Sequence, residues 1–116
     1  MAAELRPSQA LLLWHDVVLD IVRDGEQDLT ARQMAILLTV YLEPPPHTVR
    51  GLAARLGVTK PVVTRALDTM GRLGLLARHR DDNDRRNVLV RRTVEGALAV
   101  ERLGDAVVAR HKALPL

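Results

Sequence analysis

Apolar residues recur along much of the chain at the three- and four-residue spacing of helices. The first such stretch follows Ser8, which can cap a helix over residues 8–24. Its apolar residues cover more than the single stripe that a surface helix needs, so we expect this helix to bury two faces. Two interpretations fit, a partner subunit that covers the second face and a central position within one chain.

The next helical pattern opens with Thr30 and Gln33, whose three-residue spacing predicts a capping box. The predicted helix covers residues 30–43 and ends before three consecutive prolines, which cannot continue it. Its predicted inward stripe consists of Met34, Leu37, Leu38 and Tyr41.

Residues 48–74 contain two shorter helical patterns. Thr48 can cap the first, and Gly57 suits a left-handed stop at its end. Thr59 can cap the second, with Pro61 in its first turn. The connection of residues 57–59 is too short for two antiparallel helices but suits a helix-turn-helix corner. The inward stripe of the second helix is Val63, Ala66, Leu67, Met70 and Leu73.

Beyond Gly74 the apolar period shortens toward two, and residues 75–92 are predicted to form a hairpin with strands at 76–80 and 87–92. The polar connection has no glycine, so we expect Asn83 or an aspartate to take a left-handed conformation. Thr93 can then cap a last helix over 93–112. The pattern predicts a mainly α fold with a small β-hairpin, in one domain over residues 1–116.

The composition narrows the functional classes. Cysteine is absent, Ser8 is the only serine, and the four histidines lie on different predicted elements. No disulfide, thiolate metal site, serine nucleophile or glycine-rich phosphate loop is therefore expected, and we predict no enzyme activity, no metal and no cofactor. No apolar stretch reaches the ~18 residues of a membrane span, and no signal peptide is recognisable, so we predict a cytoplasmic protein without membrane contact.

Charge is unevenly distributed. Residues 50–92 hold eleven of the 17 Lys and Arg residues but only four of the 14 acids. A basic block within an otherwise acidic chain is typical of a face that meets a polyanion. Because Arg outnumbers Lys fifteen to two, a solvated surface from an arginine-rich proteome is the alternative.

The second helix of the predicted corner carries a polar flank opposite its inward stripe. A recognition helix presents such a flank to the major groove, where Lys and Arg suit guanine or phosphate and Thr suits phosphate or a thymine methyl. The residues of this flank are Lys60, Pro61, Thr64, Arg65 and Asp68.

Three segments in order resemble the MarR group of winged helix-turn-helix transcription factors: LTARQMAILLTVYLEPPP, LAARLGVTKPVVTRALDTMGRLGLLAR and DDNDRRNVLVRRTVEG. The second also has the Ala-x3-Gly-x5-Val spacing of helix-turn-helix units. The resemblance implies a winged helix-turn-helix DNA-binding domain flanked by N- and C-terminal helices. One position departs from the family pattern, because Arg92 stands where an apolar residue usually precedes Thr-x-x-Gly.

The resemblance also implies that the hairpin is a wing. Arg85 and Arg86 would then reach a minor groove, with Asp84 holding the wing arginine in place. A homodimer is implied, to which the apolar first helix can contribute. Because the family often binds small aromatic or anionic effectors, Trp14, His15 and Tyr41 are candidates to line an effector pocket, with a core role as the alternative for the aromatic residues.

We therefore expect a sequence-specific regulator that binds double-stranded DNA. Base readout is assigned to four residues of the polar flank, Lys60, Pro61, Thr64 and Arg65. Phosphate contacts are assigned to Arg50, Arg55 and Thr59, and groove insertion to the wing. The alternative is a winged-helix protein-interaction module, an adaptor or anti-regulator whose basic face meets an acidic partner.

Overall fold

A computed structural model of the chain describes residues 4–24 and 28–115. These residues form five helices and three strands: α1 (Pro7–Asp24), α2 (Ala31–Leu42), β1 (His47–Thr48), α3 (Val49–Leu56), α4 (Lys60–Arg72), β2 (Leu76–Arg80), β3 (Val88–Arg92) and α5 (Val94–Lys112). The chain divides into two compact units, one of residues Met1–Asp28 with Glu101–Leu116 and one of Leu29–Val100. The single-domain organisation stays a prediction.

The core of the unit Leu29–Val100 is aliphatic and draws on α2, α3, α4 and the sheet. The stripe predicted for α4 is confirmed, with four of its five residues buried and Leu73 packed beside them. The stripe predicted for α2 is incomplete, because Ile36 and Val40 are fully buried as well. Since α2 packs against α3, α4 and β3, it is buried on more sides than a single stripe describes.

Threonine caps begin α2 and α3, and glycines follow the ends of α3 and α4, as the sequence predicts. Thr30 and Gln33 form both halves of the capping box at α2. Thr48 accepts a 2.9 Å hydrogen bond from the Gly51 amide at the start of α3. Gly57 and Gly74 take left-handed conformations, with φ of 70° and 76°, just beyond α3 and α4. These local signals place the helix-turn-helix corner.

The sheet has one strand more than the predicted hairpin. Its order is β1-β3-β2 with antiparallel pairing throughout, and His47 and Thr48 of β1 pair with Val90 and Leu89 of β3. A two-residue strand shows no alternation, so the sequence pattern could not reveal it. The first residue predicted for the second strand, Asn87, lies just before β3, and its amide donates to the Asp84 carbonyl at 2.9 Å.

The other unit contains α1 and most of α5. The prediction that Ser8 caps α1 is wrong, because the helix begins one residue earlier at Pro7. The fixed φ of proline suits the first helical position, where no amide hydrogen bond is needed. The backbone amide of Arg6 donates instead to Oε1 of Gln9, at 2.9 Å. No helix within residues 4–24 or 28–115 has both the length and the apolarity needed to cross a membrane.

One face of α1 is apolar and open to solvent. Leu11, Trp14 and Val22 have exposures of 69%, 60% and 66%, and Val18 continues the same helical face at 37%. Only Val17 of α1 is buried. The expectation that this helix buries two faces is therefore wrong for the isolated chain. A surface of this kind is typical of a protein contact.

An ion pair links α1 to α5 within this unit. Both carboxylate oxygens of Asp20 accept hydrogen bonds from Arg110, at 2.8 and 2.6 Å. The hydrogen bond from Arg110 is the main cause that lowers the pKa of Asp20 below its ordinary value of 3.8. Arg110 thus favours the ionised carboxylate in the folded state.

This pKa shift predicts an acid-dependent contribution to stability. A carboxylate whose pKa is lower in the folded than in the unfolded state stabilises the fold at pH values above its unfolded pKa. For Asp20 this contribution is lost as the pH falls below 3.8 and through the lowered pKa of the folded state. In urea titrations from pH 6 to pH 2, Asp20→Asn should flatten the acid end of the stability profile. Asp105→Asn, on the same helix as Arg110, is the control; equal flattening by both variants would contradict the assignment.

Candidate nucleic-acid interface

The N-terminus of α4 is open to a ligand. Thr59 occupies the N-cap position with extended backbone, but its side chain makes no capping hydrogen bond, which corrects the expected cap. Pro61 in the first turn has no amide hydrogen, so the turn has one fewer donor to satisfy. The exposed Thr59 hydroxyl and the helix dipole both favour an anion at this end.

The predicted polar flank lies together on α4. Lys60, Pro61, Thr64 and Arg65 are exposed, and with Asp68 they line one shallow depression in the surface. Neither Lys60 nor Arg65 makes a side-chain hydrogen bond or ion pair within the described part of the chain. Two cations without internal partners can engage an external acceptor with no internal bond to break.

Asp68 is the acidic member of this flank and it is already paired. Its Oδ1 accepts a 2.6 Å hydrogen bond from Arg78 of β2, so the flank is tied to the first strand of the hairpin. The pair offsets the one negative charge on a surface otherwise suited to a polyanion. Sequence spacing cannot show this contact, because it joins two elements ten residues apart.

The two arginines expected to bind phosphate differ. Arg50 is exposed and its side chain has no hydrogen bond or ion pair to any described residue. Arg55 is held by Glu43, with Nε and NH2 donating to the carboxylate at 2.9 to 3.2 Å. The hydrogen bond from Arg55 is the main cause that lowers the pKa of Glu43. The NH1 edge of Arg55 stays unused by this pair.

The tip of the hairpin is closed by aspartate side chains. Oδ1 of Asp81 accepts the Asn83 amide at 2.9 Å, and Oδ1 of Asp84 accepts the Arg86 amide at 3.1 Å. The expectation of a left-handed Asn83 or aspartate is wrong, since no described residue other than glycine has a positive φ. A connection long enough for two successive side-chain-closed turns needs no such residue.

The wing arginines project into solvent at this tip. Arg86 is 87% exposed along its side chain, and its Nε lies 3.3 Å from Oδ1 of Asp84. The carbonyl of Arg85 accepts a hydrogen bond from Arg80, which leaves the Arg85 side chain exposed. The tip therefore presents two guanidinium groups on a connection that Asp81, Asp84 and Arg80 stabilise.

The root of the hairpin contains a network that sequence reasoning missed. The Tyr41 hydroxyl accepts the Thr93 amide at 2.9 Å and lies 3.0 and 3.1 Å from the carbonyls of Leu75 and Thr93, either of which can take its proton. Thr93 also donates through Oγ1 to the Gly74 carbonyl at 2.7 Å and, as predicted, caps α5 by accepting the Gly96 amide. One tyrosine of α2 thus joins the chain before β2 to the chain after β3.

Arg92, the departure from the family pattern, belongs to this root. Its Nε donates to the Val40 carbonyl at 2.9 Å and its NH2 to the Glu43 carbonyl at 3.3 Å, while the guanidinium carbon lies 5.7 Å from the centre of the Tyr41 ring. The Val40 carbonyl would ordinarily accept the amide of residue 44, but Pro44 has none. Arg92 supplies the missing donor.

The candidate effector residues do not gather into a shared site within either unit. The Tyr41 hydroxyl is hydrogen-bonded at the hairpin root, which favours a structural role for this residue. Trp14 belongs to the exposed face of α1. Across residues 4–24 and 28–115, no three side chains of the metal-binding types lie close enough together to share an ion.

Comparison with known proteins supports this architecture. The sequence profile of the MarR family matches residues 27–87. A transcriptional regulator from Thermotoga maritima, Tm0710, is 27% identical with a TM-score of 0.66, over 90% of this chain and 68% of that chain. MepR from S. aureus, solved as a complex with DNA, is 22% identical with a TM-score of 0.70, over 87% of this chain and 86% of that chain.

A third similar structure, disulfide-formed AbfR, is 22% identical with a TM-score of 0.70 over 87% of this chain. The chain spans 66% of the length of AbfR, just under two thirds.

Proposed function

Because this chain belongs to the MarR family, we propose that it is a transcriptional regulator that binds double-stranded DNA sequence-specifically. In this proposal α4 enters the major groove and the hairpin from β2 to β3 is a wing that enters the minor groove. The protein acts in the cytoplasm, without enzymatic chemistry of its own. A structural neighbour solved with DNA supports the same use of this fold.

The observation that carries the proposal is the polar flank of α4. Lys60 and Arg65 are exposed on one helix face, with no internal partner in the described chain, and the Thr59 hydroxyl stands free at the helix N-terminus. We assign base contacts to Lys60, Pro61, Thr64 and Arg65. Phosphate contacts are assigned to Arg50, Thr59 and the unused edge of Arg55.

The wing supplies the second set of contacts. Arg85 and Arg86 are the arginines that project from its tip, and a narrow A·T-rich minor groove concentrates the negative potential that attracts them. Asp84 contacts Arg86 and closes the turn that carries it, so its role is to position the wing arginine.

The functional form is a homodimer. The exposed apolar face of α1 is the kind of surface that an identical subunit covers, and Val107 and Val108 of α5 add further exposed apolar area in the same unit. A two-fold dimer presents two copies of α4, so it reads inverted half-sites about one helical turn, ~10 base pairs, apart. A small-molecule effector remains part of this proposal without an assigned site.

Selection of binding sites from a randomised DNA duplex library tests the proposal directly. We expect an enriched site with inverted half-sites, bound at least about a thousandfold more tightly than a scrambled duplex. The logarithm of affinity should fall with the logarithm of salt concentration with a slope of about −0.9 for each phosphate contact.

Two outcomes of this selection contradict the proposal in different ways. Equal, salt-sensitive binding to every duplex would make the basic surface a non-specific electrostatic one. No salt-sensitive binding at all would favour the protein-interaction module, whose basic face meets an acidic protein instead of DNA.

A further inference from the structure

We propose that Arg92 is a positioning residue for the wing: it fixes the root of the hairpin to the end of α2 and so determines where Arg85 and Arg86 reach. The proposal rests on the proposed DNA-binding function for its consequence, but its structural basis is independent. Arg92 lies at the end of β3, six residues from Arg86, and is assigned no DNA contact.

The first step of the argument is the bond that Arg92 makes. Its guanidinium bridges the carbonyls of Val40 and Glu43, at 2.9 and 3.3 Å, and lies over the ring of Tyr41. Pro44 cannot bond the Val40 carbonyl, so this acceptor depends on a donor from outside the helix. The planar guanidinium group has several N–H donors and can satisfy both carbonyls at once. The side chain of an apolar residue at position 92 can satisfy neither.

The second step is that few other hydrogen bonds hold the root, although Leu75, Leu76 and Val90 also pack in the core. The Tyr41 hydroxyl and Thr93 Oγ1 tie Leu75, Gly74 and Thr93 together, and β1 adds two paired residues beside β3. The outer strand β2 is further held by the buried side chain of Leu76 in the core and by the Asp68–Arg78 ion pair on the α4 side. Within the described residues, Arg92 is the one side chain of β3 that hydrogen-bonds to the backbone of α2.

The third step is that a small rotation at the hairpin root moves the tip by a large distance. Each wing strand has five residues, so the tip stands about 17 Å from the root at ~3.4 Å per residue. A tilt of about 20° at the root would move the tip by about 6 Å, which is the width of a minor groove. A small loosening at Arg92 is thus sufficient to remove Arg85 and Arg86 from their groove.

The test compares Arg92→Leu with Arg91→Leu. Both changes remove one positive charge from the same strand, but the exposed Arg91 side chain makes no hydrogen bond or ion pair to any described residue. On the duplex selected by the wild-type protein, Arg92→Leu should weaken binding roughly tenfold beyond Arg91→Leu, the order of one lost specific contact. In a protein that already carries Arg85→Ala and Arg86→Ala, Arg92→Leu should weaken DNA binding no more than Arg91→Leu does, because only the loss of charge then matters.

Hydrogen exchange of peptides covering residues 76–92 provides a readout without DNA. These amides should exchange at least about threefold faster in Arg92→Leu than in the wild type and should be unchanged in Arg91→Leu. Arg92→Lys keeps the positive charge and the aliphatic part of the side chain but loses the guanidinium group, so it should give an intermediate loss of affinity. It replaces the leucine variant in the test if that variant does not fold.

Equal losses of affinity from both leucine variants would overturn the proposal, because Arg92 would then act only through its charge. An undiminished effect of Arg92→Leu in the wing-less background would overturn it too, since Arg92 would act elsewhere. If the wild-type protein binds no duplex specifically, the proposed function fails, while the exchange experiment still decides whether Arg92 fixes the hairpin root.

Discussion

Gly96→Ala should destabilise the protein by about 3 kcal/mol or more, although alanine is intrinsically the better helix former by about 1 kcal/mol. Gly96 is buried in the first turn of α5, and a Cβ there would overlap the Tyr41 hydroxyl and the Leu75 carbonyl oxygen. These two atoms are hydrogen-bonded to each other at 3.0 Å, so neither can move without breaking the hairpin root. Urea denaturation followed by circular dichroism measures the loss.

The same helix offers a matched control. Gly104 also lies in α5, but a Cβ added there meets no atom within 4 Å. Gly104→Ala should therefore stabilise the protein by about 0.5–1 kcal/mol, since alanine costs less backbone entropy than glycine in a helix. If both alanine variants proved equally stable, the close approach of Tyr41 and Leu75 to α5 would be wrong.

Arg65→Ala should weaken binding to the selected duplex by ~1–3 kcal/mol, which corresponds to roughly five- to 150-fold in dissociation constant. Arg65 lies exposed on α4 without an internal partner among the described residues, so its truncation leaves no buried acceptor unsatisfied. The measurement is fluorescence anisotropy against the selected duplex and its single-base-pair variants. If Arg65 reads a base, preference should flatten at one base pair and persist at the others.

Arg72→Ala is the control for loss of charge. Arg72 is exposed in the last turn of the same helix, where its NH2 contacts only the Thr69 hydroxyl at 3.3 Å among the described residues. Its replacement should leave the thermal midpoint and the sequence preference close to those of the wild type. If Arg65→Ala weakens binding equally on every duplex, Arg65 is a phosphate contact and the assigned base readout is wrong.

Gly96→Ala and Arg65→Ala are expected to differ in their effect on stability. Gly96→Ala acts on the packing of α5 against Tyr41, whereas Arg65→Ala removes an exposed side chain from the polar flank. The first variant should lower the unfolding free energy, and the second should leave it within about 0.5 kcal/mol of the wild type. A DNA-binding defect in Arg65→Ala can then be attributed to the interface rather than to unfolding.

Local sequence signals predicted the helix-turn-helix corner because their physical causes are local. A threonine cap bonds an amide three residues away, and Gly57 stops α3 through its own backbone freedom. The inward stripe of α4 followed from helical period alone, since only one side of that helix is buried. The polar flank was the remainder of the same pattern, so its residues could be named without a structure.

Contacts between distant elements could not be read from the same pattern. The pattern places Asp68 in the polar flank but gives no sign of its ion pair with Arg78. It places Tyr41 in the stripe of α2 but gives no sign of its hydrogen bond with the Thr93 amide. Arg92 appeared only as a departure from the family pattern. Its partners are the carbonyls of Val40 in α2 and of Glu43 just beyond it, about fifty residues earlier, which no spacing rule connects to it.

Caps, periodicity and turn residues act over a few positions, so they were sufficient to predict the helices, the corner, the hairpin and the residues of the polar flank. The folded chain was needed to show which charged groups of the polar flank lack partners among the described residues, how the hairpin root is held and where α5 must carry a glycine. Those properties depend on which backbone carbonyls and side chains meet after folding. The chain therefore encodes the polar flank of α4 locally and the placement of its hairpin through long-range packing.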